Sequence, residues 1–131
     1  MADDNWAQLR EHAREAAAHA HAPYSGLRVG AAGRTESGRI VTGCNVENAS
    51  YGLTLCAECG LVSDLHRTGG GRLVELVAVD DEGHVLAPCG RCRQLLFEAG
   101  GPGLVVEMPD GVHPMTEVLP GAFEAGDLPG G

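Results

Sequence analysis

The sequence predicts an α/β protein, a mixed β-sheet with helices packed on its faces. Three observations carry that expectation. Trp6, Leu9, Ala13, Ala16, Ala17 and Ala20 recur at helical spacing and form one apolar stripe. Leu27, Val29 and Ala31 alternate with Arg28, Gly30 and Ala32, and residues 40–44 return after a turn at 35–38, the pattern of a hairpin. Residues 73–79 are an almost unbroken run of Val and Leu, as in a strand covered on both faces.

The elements follow in chain order. Asp3 or Asp4 is placed to cap the first helix, and Pro23 ends it. Residues 45–53 read as a loop. A second helix spans about 55–67, with Leu61, Val62 and Leu65 inward and Gly69 to Gly71 as its stop. Residues 81–83 turn. A third helix covers 90–99 and is stopped by Gly100 and Gly101. Residues 104–108 form a strand, and Pro109-Asp110-Gly111 turns it into a short partner near Val112. The tail, 119–131, is rich in Gly and Pro and is expected to hold little regular structure. With no repeat and no linker, residues 1–131 read as one domain.

Composition narrows the function. The formal net charge is −9, whereas a protein that tracks nucleic acid needs a basic face. All nine basic residues are Arg, which excludes Schiff-base chemistry and a Walker-type phosphate loop, both of which need a Lys amine. An uncharged small molecule is therefore the expected substrate. No window of about 18 uninterrupted apolar residues occurs, so no membrane span is expected. Residues 1–10 are acidic and polar, unlike a secretory leader, which points to the cytoplasm. In that reducing setting the five cysteines read as metal-binding or catalytic.

The chemistry concentrates in Cys56-Ala57-Glu58 and Pro88-Cys89-Gly90-Arg91-Cys92. Cys89 and Cys92 stand three apart at a helix start, so both sulfurs face one way. Cys56 opens the preceding helix, and helix N-termini favour thiolates. Three thiolates leave the fourth tetrahedral position of a zinc ion for water, whose pKa falls toward ~7. Glu58, two residues past the first sulfur, can reach that water without binding metal. The same cysteines also permit a closed structural site, because Cys56-x-x-Cys59 and Cys89-x-x-Cys92 form a double pair. The stretch between the pairs is longer than the ~15–20 residues usual for such sites. A thiol redox protein is the third reading.

The sequence resembles the small, homotetrameric, zinc-dependent cytidine deaminases. The resemblance spans nearly the whole chain and is carried by Pro23-Tyr24-Ser25, Val29-Gly30-Ala31-Ala32, Gly43-Cys44-Asn45-Val46-Glu47-Asn48, Cys56-Ala57-Glu58 and Pro88-Cys89-Gly90-Arg91-Cys92-Arg93-Gln94. It implies a three-layer α/β/α sandwich around a five-stranded mixed sheet, with one Zn2+ per chain held by Cys56, Cys89 and Cys92. The implied reaction is hydrolytic deamination of cytidine or deoxycytidine in pyrimidine salvage, with a zinc-bound hydroxide attacking C4 and Glu58 carrying the proton. Deamination of a modified cytosine nucleoside is the neighbouring reading within the same fold.

The resemblance also assigns binding residues. Asn45 and Glu47 match the ribose pair, and backbone at Ala57 and Pro88 holds the base O2 and amino group. Leu27 stands where relatives often have Phe, on the wall beside the base. Phe123 matches an aromatic that the tetramers lend to a neighbouring site, which implies shared sites. On the residues alone Asn45 and Glu47 read more readily as loop caps, while Phe123 reads equally as a tail anchor and Tyr24 equally as a packing residue. Cys59 stands where many relatives carry an Arg that hydrogen-bonds the ligand sulfurs. Arg91, between two ligands, is expected to donate to those sulfurs instead, with Arg93 as its rival.

Overall fold

The structure is a computed structural model that describes the backbone of residues 2–130 and the side chains of residues 5–130. The side chains of Asp3 and Asp4, expected to cap the first helix, lie outside the described residues. The elements are α1 (Ala2–Ala17), β1 (Val29–Thr35), β2 (Ile40–Cys44), α2 (Ala57–Arg67), β3 (Leu73–Asp80), β4 (Val85–Leu86), α3 (Gly90–Gly100), β5 (Val105–Met108), β6 (Gly111–Pro114) and α4 (Met115–Val118). Helical 3-10 turns stand at Tyr51–Leu53 and Ala125–Asp127.

The sheet runs β2-β1-β3-β5-β6, and β4 pairs separately with β3. Only β3 and β5 are parallel, joined through α3; the other pairings are antiparallel. The sheet is mixed, as expected, but it has six strands rather than five. The extra strand is two-residue β4, which pairs with Ala78 and Val79 beyond the point where β5 stops. Two residues are too few to show a period, so β4 left no signal in the sequence.

Strand alternation divides the core. Ala32, Val77 and Val79 face α1 and pack with Trp6, Leu9 and Ala13. Their neighbours Ala31, Leu76 and Ala78 face the other way, toward Leu61 and Leu65 of α2 and Leu96 of α3. Two glycines set how closely the helices approach. A Cβ at Gly30 would lie 1.8 Å from the Ala13 carbonyl oxygen, so α1 rests backbone-to-backbone on β1. A Cβ at Gly43 would lie 2.3 Å from both the Ala57 carbonyl oxygen and the Leu61 nitrogen, so α2 rests on β2 in the same way.

Both α2 and α3 start at one end of the sheet. Cys56 and Cys89 are their N-cap residues, each in extended conformation, so α2 begins at Ala57 rather than near Leu55. Before α2 the chain is held by the isolated bridges His21↔Val46 and Val46↔Leu55. Before α3 it is held by β4. The crevice lies where β3 separates its antiparallel neighbour β1 from its parallel neighbour β5, the place where open α/β sheets bind ligands. No helix among the described residues is long and apolar enough to cross a membrane.

Candidate active site

Cys56, Cys89 and Cys92 bring their sulfurs within 4.8 Å of one another. The Cys56 and Cys89 sulfurs are 3.8 Å apart. A tetrahedral zinc ion with bonds of about 2.3 Å separates its sulfur ligands by about 3.8 Å, so this set fits zinc. Cys59 stays outside the cluster, and its amide donates to the Cys56 carbonyl within α2. Among the described residues no fourth ligand joins, which is the pattern of an open site rather than a four-cysteine structural one.

The sulfurs differ in setting: Cys92 is buried on the first turn of α3, Cys56 half-buried, and Cys89 exposed. Burial pushes the Cys56 and Cys92 thiols above the ordinary range. Burial also works against ionisation at Cys89, but hydrogen bonds from the Cys92 amide and from the Cys92 and Cys56 thiols outweigh it and lower that group. A bound cation is what a cluster of this composition requires before all three sulfurs ionise together.

Glu58 sits on the first turn of α2, 4% exposed. Burial raises its carboxyl above the usual range, only partly offset by its own amide and the Cys92 thiol. No cation is among the groups that perturb it. A buried carboxyl whose proton affinity is raised by burial has the setting of a general acid–base.

A cavity of about 250 Å³ opens on the cluster, lined among others by Leu27, Asn45, Cys56, Ala57, Glu58 and Cys89. A second recess, lined by Tyr24, Ser25, Glu47, Tyr51 and Thr54, adjoins it, and Thr54 lines both. In the second recess Glu47 accepts from the Tyr24 amide at 3.0 Å, the Ser25 amide at 3.1 Å and the Ser25 hydroxyl. Those bonds, the Ser25 hydroxyl foremost, lower its pKa. Asn45 accepts from the Val29 amide at 2.8 Å and donates to the Leu27 carbonyl at 2.9 Å. It therefore braces the cavity wall as the loop-cap reading requires, and it still has one amide hydrogen and one lone pair free in these pairings.

Three expected residues stand elsewhere. Pro88 is buried and does not line the cavity, whose wall passes from Ala87 to Cys89; the Pro88 carbonyl accepts from Arg93. Phe123 is half-exposed and lines neither recess of its own chain; its carbonyl accepts from Gln94. Arg91 does not hydrogen-bond any ligand sulfur: its guanidinium donates at 3.5 Å to the Thr54 carbonyl. The residue preceding a ligand on a helix turns about 100° away from it, which carries Arg91 to the rim. Arg93 is equally committed to carbonyls, those of Pro88 and Val118.

The lining residues Val29, Thr54, Ala78, Leu86 and Ala87 were missed in the sequence. Most are small and apolar and carry no chemical signature. Thr54, two residues before the first sulfur, could have been found by asking which residue enters α2 alongside Cys56.

The family described as the cytidine and deoxycytidylate deaminase zinc-binding region matches residues 4–108. The chain is 56% identical over 129 residues to a cytidine deaminase of Mycobacterium tuberculosis, covering 98% of this chain and 97% of that one. The crystal structure of cytidine deaminase from the same organism superposes with a TM-score of 0.88 at 56% identity, over 91% of this chain and 97% of that one. That of Mycobacterium leprae gives 0.87 at 56%, over 88% and 98%.

Proposed function

Because the chain belongs to the cytidine and deoxycytidylate deaminase family, we propose a division of labour among its residues for hydrolysing the 4-amino group of cytidine. The enzyme is a zinc-dependent cytidine deaminase that converts the nucleoside to its uridine counterpart and ammonia. Cys56, Cys89 and Cys92 hold the metal, one per chain. When bound, zinc supplies the Lewis acidity that makes water nucleophilic near neutral pH.

Glu58 moves the protons. Its carboxylate takes one from the attacking water and delivers it to N3 of the base. It then takes the second from the hydroxyl so formed on C4 and delivers it to the amine, which leaves as ammonia as the C4 carbonyl forms. A carboxyl pKa raised by burial suits both halves of that shuttle, because it makes the carboxylate a stronger base than an exposed one. The base occupies the cavity beside Glu58, with Leu27 as one wall and the Ala57 backbone at its edge. Leu27 packs against a ring but cannot stack on it as an aromatic would. The sugar passes Thr54 into the second recess, where Glu47 accepts from a ribose hydroxyl and Asn45 offers its remaining N–H.

The fuller assignment is a one-domain enzyme of cytoplasmic pyrimidine salvage that works as a homotetramer, the segment from about 119 lending Phe123 to a neighbour's base pocket. Exposed Tyr24, Leu27, Val46, Tyr51, Leu53 and Leu55 around the site mouth support assembly, because apolar side chains gathered this way call for a cover. Light scattering tests it: an active monomer contradicts the assembly.

The observation that carries the functional reading is the cluster of three sulfurs beside buried Glu58, with Cys56, Cys89 and Glu58 lining one cavity. Purified protein incubated with cytidine is expected to release ammonia with the ultraviolet change to uridine, and a zinc chelator is expected to stop it. No turnover with zinc bound, or full turnover without metal, overturns the reading.

A further inference from the structure

Arg93 follows Cys92 in α3 and does two things at once. Its Nε donates to the Pro88 carbonyl at 2.9 Å, and its Nη1 donates to the Val118 carbonyl at 2.9 Å. Its own amide closes the first turn of α3 onto the Cys89 carbonyl at 3.0 Å. The two carbonyls that its side chain holds need a donor. Pro88 precedes the N-cap of α3 and lies outside the helix ladder, while Val118 ends α4, where carbonyls lose their intrahelical partners. Both residues are buried, and a buried carbonyl without a donor is costly.

The three sulfurs are fixed by different means. Cys92 is on a helix and fully packed. Cys56 is half-buried at the start of α2, which Gly43 lets settle onto β2. Cys89 is exposed and lies in extended backbone, its sulfur met only by the Cys92 amide and the neighbouring thiols. Packing does not hold it. The Pro88–Cys89 peptide before it is gripped from the Pro88 side by Arg93, which is braced in turn against the end of α4.

We propose that Arg93 is a positioning residue for the metal-ligand segment: by tying the Pro88 carbonyl to the end of α4 it fixes the direction of the Cys89 sulfur and slows loss of the metal. The inference rests on the reading of Cys56, Cys89 and Cys92 as ligands. A planar guanidinium suits the task because Nε and Nη1 sit at a fixed separation and grip two carbonyls together. The ammonium of Lys, a point charge on a flexible stem, cannot reproduce that fork.

The test is the rate at which holoenzyme releases zinc to an excess of a coloured chelator, with Arg10→Ala as the control. Arg10 pairs with Glu107 under α1, so its loss lowers stability away from the sulfurs. Arg93→Ala is expected to release zinc at least ~10-fold faster than the parent, the scale of lost outer-shell support. Arg93→Lys is expected to fall between, and Arg10→Ala to keep the parent's rate despite a lower Tm. In cobalt-loaded protein the sulfur-to-metal absorption is expected to shift in Arg93→Ala and not in Arg10→Ala. Parental release from Arg93→Ala with only a fall in Tm overturns the proposal. If that variant does not fold, Arg93→Lys decides it: the parent's rate overturns the proposal and faster release supports it. A parent chain that binds no zinc overturns the ligand reading instead.

Discussion

The two faces of the sheet obey different rules. Under α1, the apolar stripe of Trp6, Leu9 and Ala13 meets Ala32, Val77 and Val79, and the charges beside it are paired. Arg10 grips both oxygens of Glu107 at 2.8 and 2.7 Å, and Arg34 meets Glu75 at 2.9 Å. Under α2 and α3 the same kind of core ends in a cavity, where a carboxyl is buried without a cation and three thiols crowd together. One face is built for stability. The other accepts unfavourable burial at one end, which is where proteins break local rules for function.

Glu58→Gln tests that contrast with the largest effect. Turnover on cytidine is expected to fall by about 10²-fold or more, the scale of general acid–base catalysis, while zinc and fold persist. Near-normal turnover would remove Glu58 from the chemistry, and loss of zinc would make it a ligand. Metal-free protein adds a pH test. The folded carboxyl holds its proton to higher pH than the unfolded one, so in that window the native state binds more protons and stability falls as pH rises. Denaturant titration is expected to show that fall in metal-free parent and to show it reduced in Glu58→Gln.

Gly43→Ala and Gly30→Ala form a pair across the sheet. Either methyl forces a helix off its strand, at the ~1–3 kcal/mol typical of overpacking or more. Only Gly43 presses on α2 at Ala57, between Cys56 and Glu58. Gly43→Ala is therefore expected to weaken zinc retention and lower turnover by roughly tenfold, whereas Gly30→Ala lowers Tm and spares both. Equal damage to zinc binding from the two would show that the faces are not independent.

Arg10→Ala carries the smallest effect. This partly exposed pair is expected to contribute about 1 kcal/mol, read as a modest drop in Tm with kcat unchanged. A fall in kcat would mean that the α1 face reaches the site.

Much of this division was legible in the sequence. Apolar patterning marks α1, the hairpin, α2 and β3, because each holds a helical stripe, an alternation or an unbroken run bounded by clear turn or stop residues. The sulfurs and Glu58 were legible because few residue types serve that chemistry and their spacing is local. Short elements without a period were not: β4, α4 and the 3-10 turn at Ala125–Asp127 exist through tertiary contacts. Side-chain direction was the other gap. Arg91 lies between two ligands in sequence yet reaches Thr54, and Pro88 stands behind the cavity wall, because adjacency along a helix start does not place a group beside the metal.

An open three-sulfur site and a closed four-sulfur one are separated by metal analysis of single cysteine variants. The parent and Cys59→Ser are expected to hold one zinc per chain, while Cys56→Ser, Cys89→Ser and Cys92→Ser each lose it. Loss of zinc from Cys59→Ser as severe as from Cys56→Ser would make the site a closed four-cysteine one.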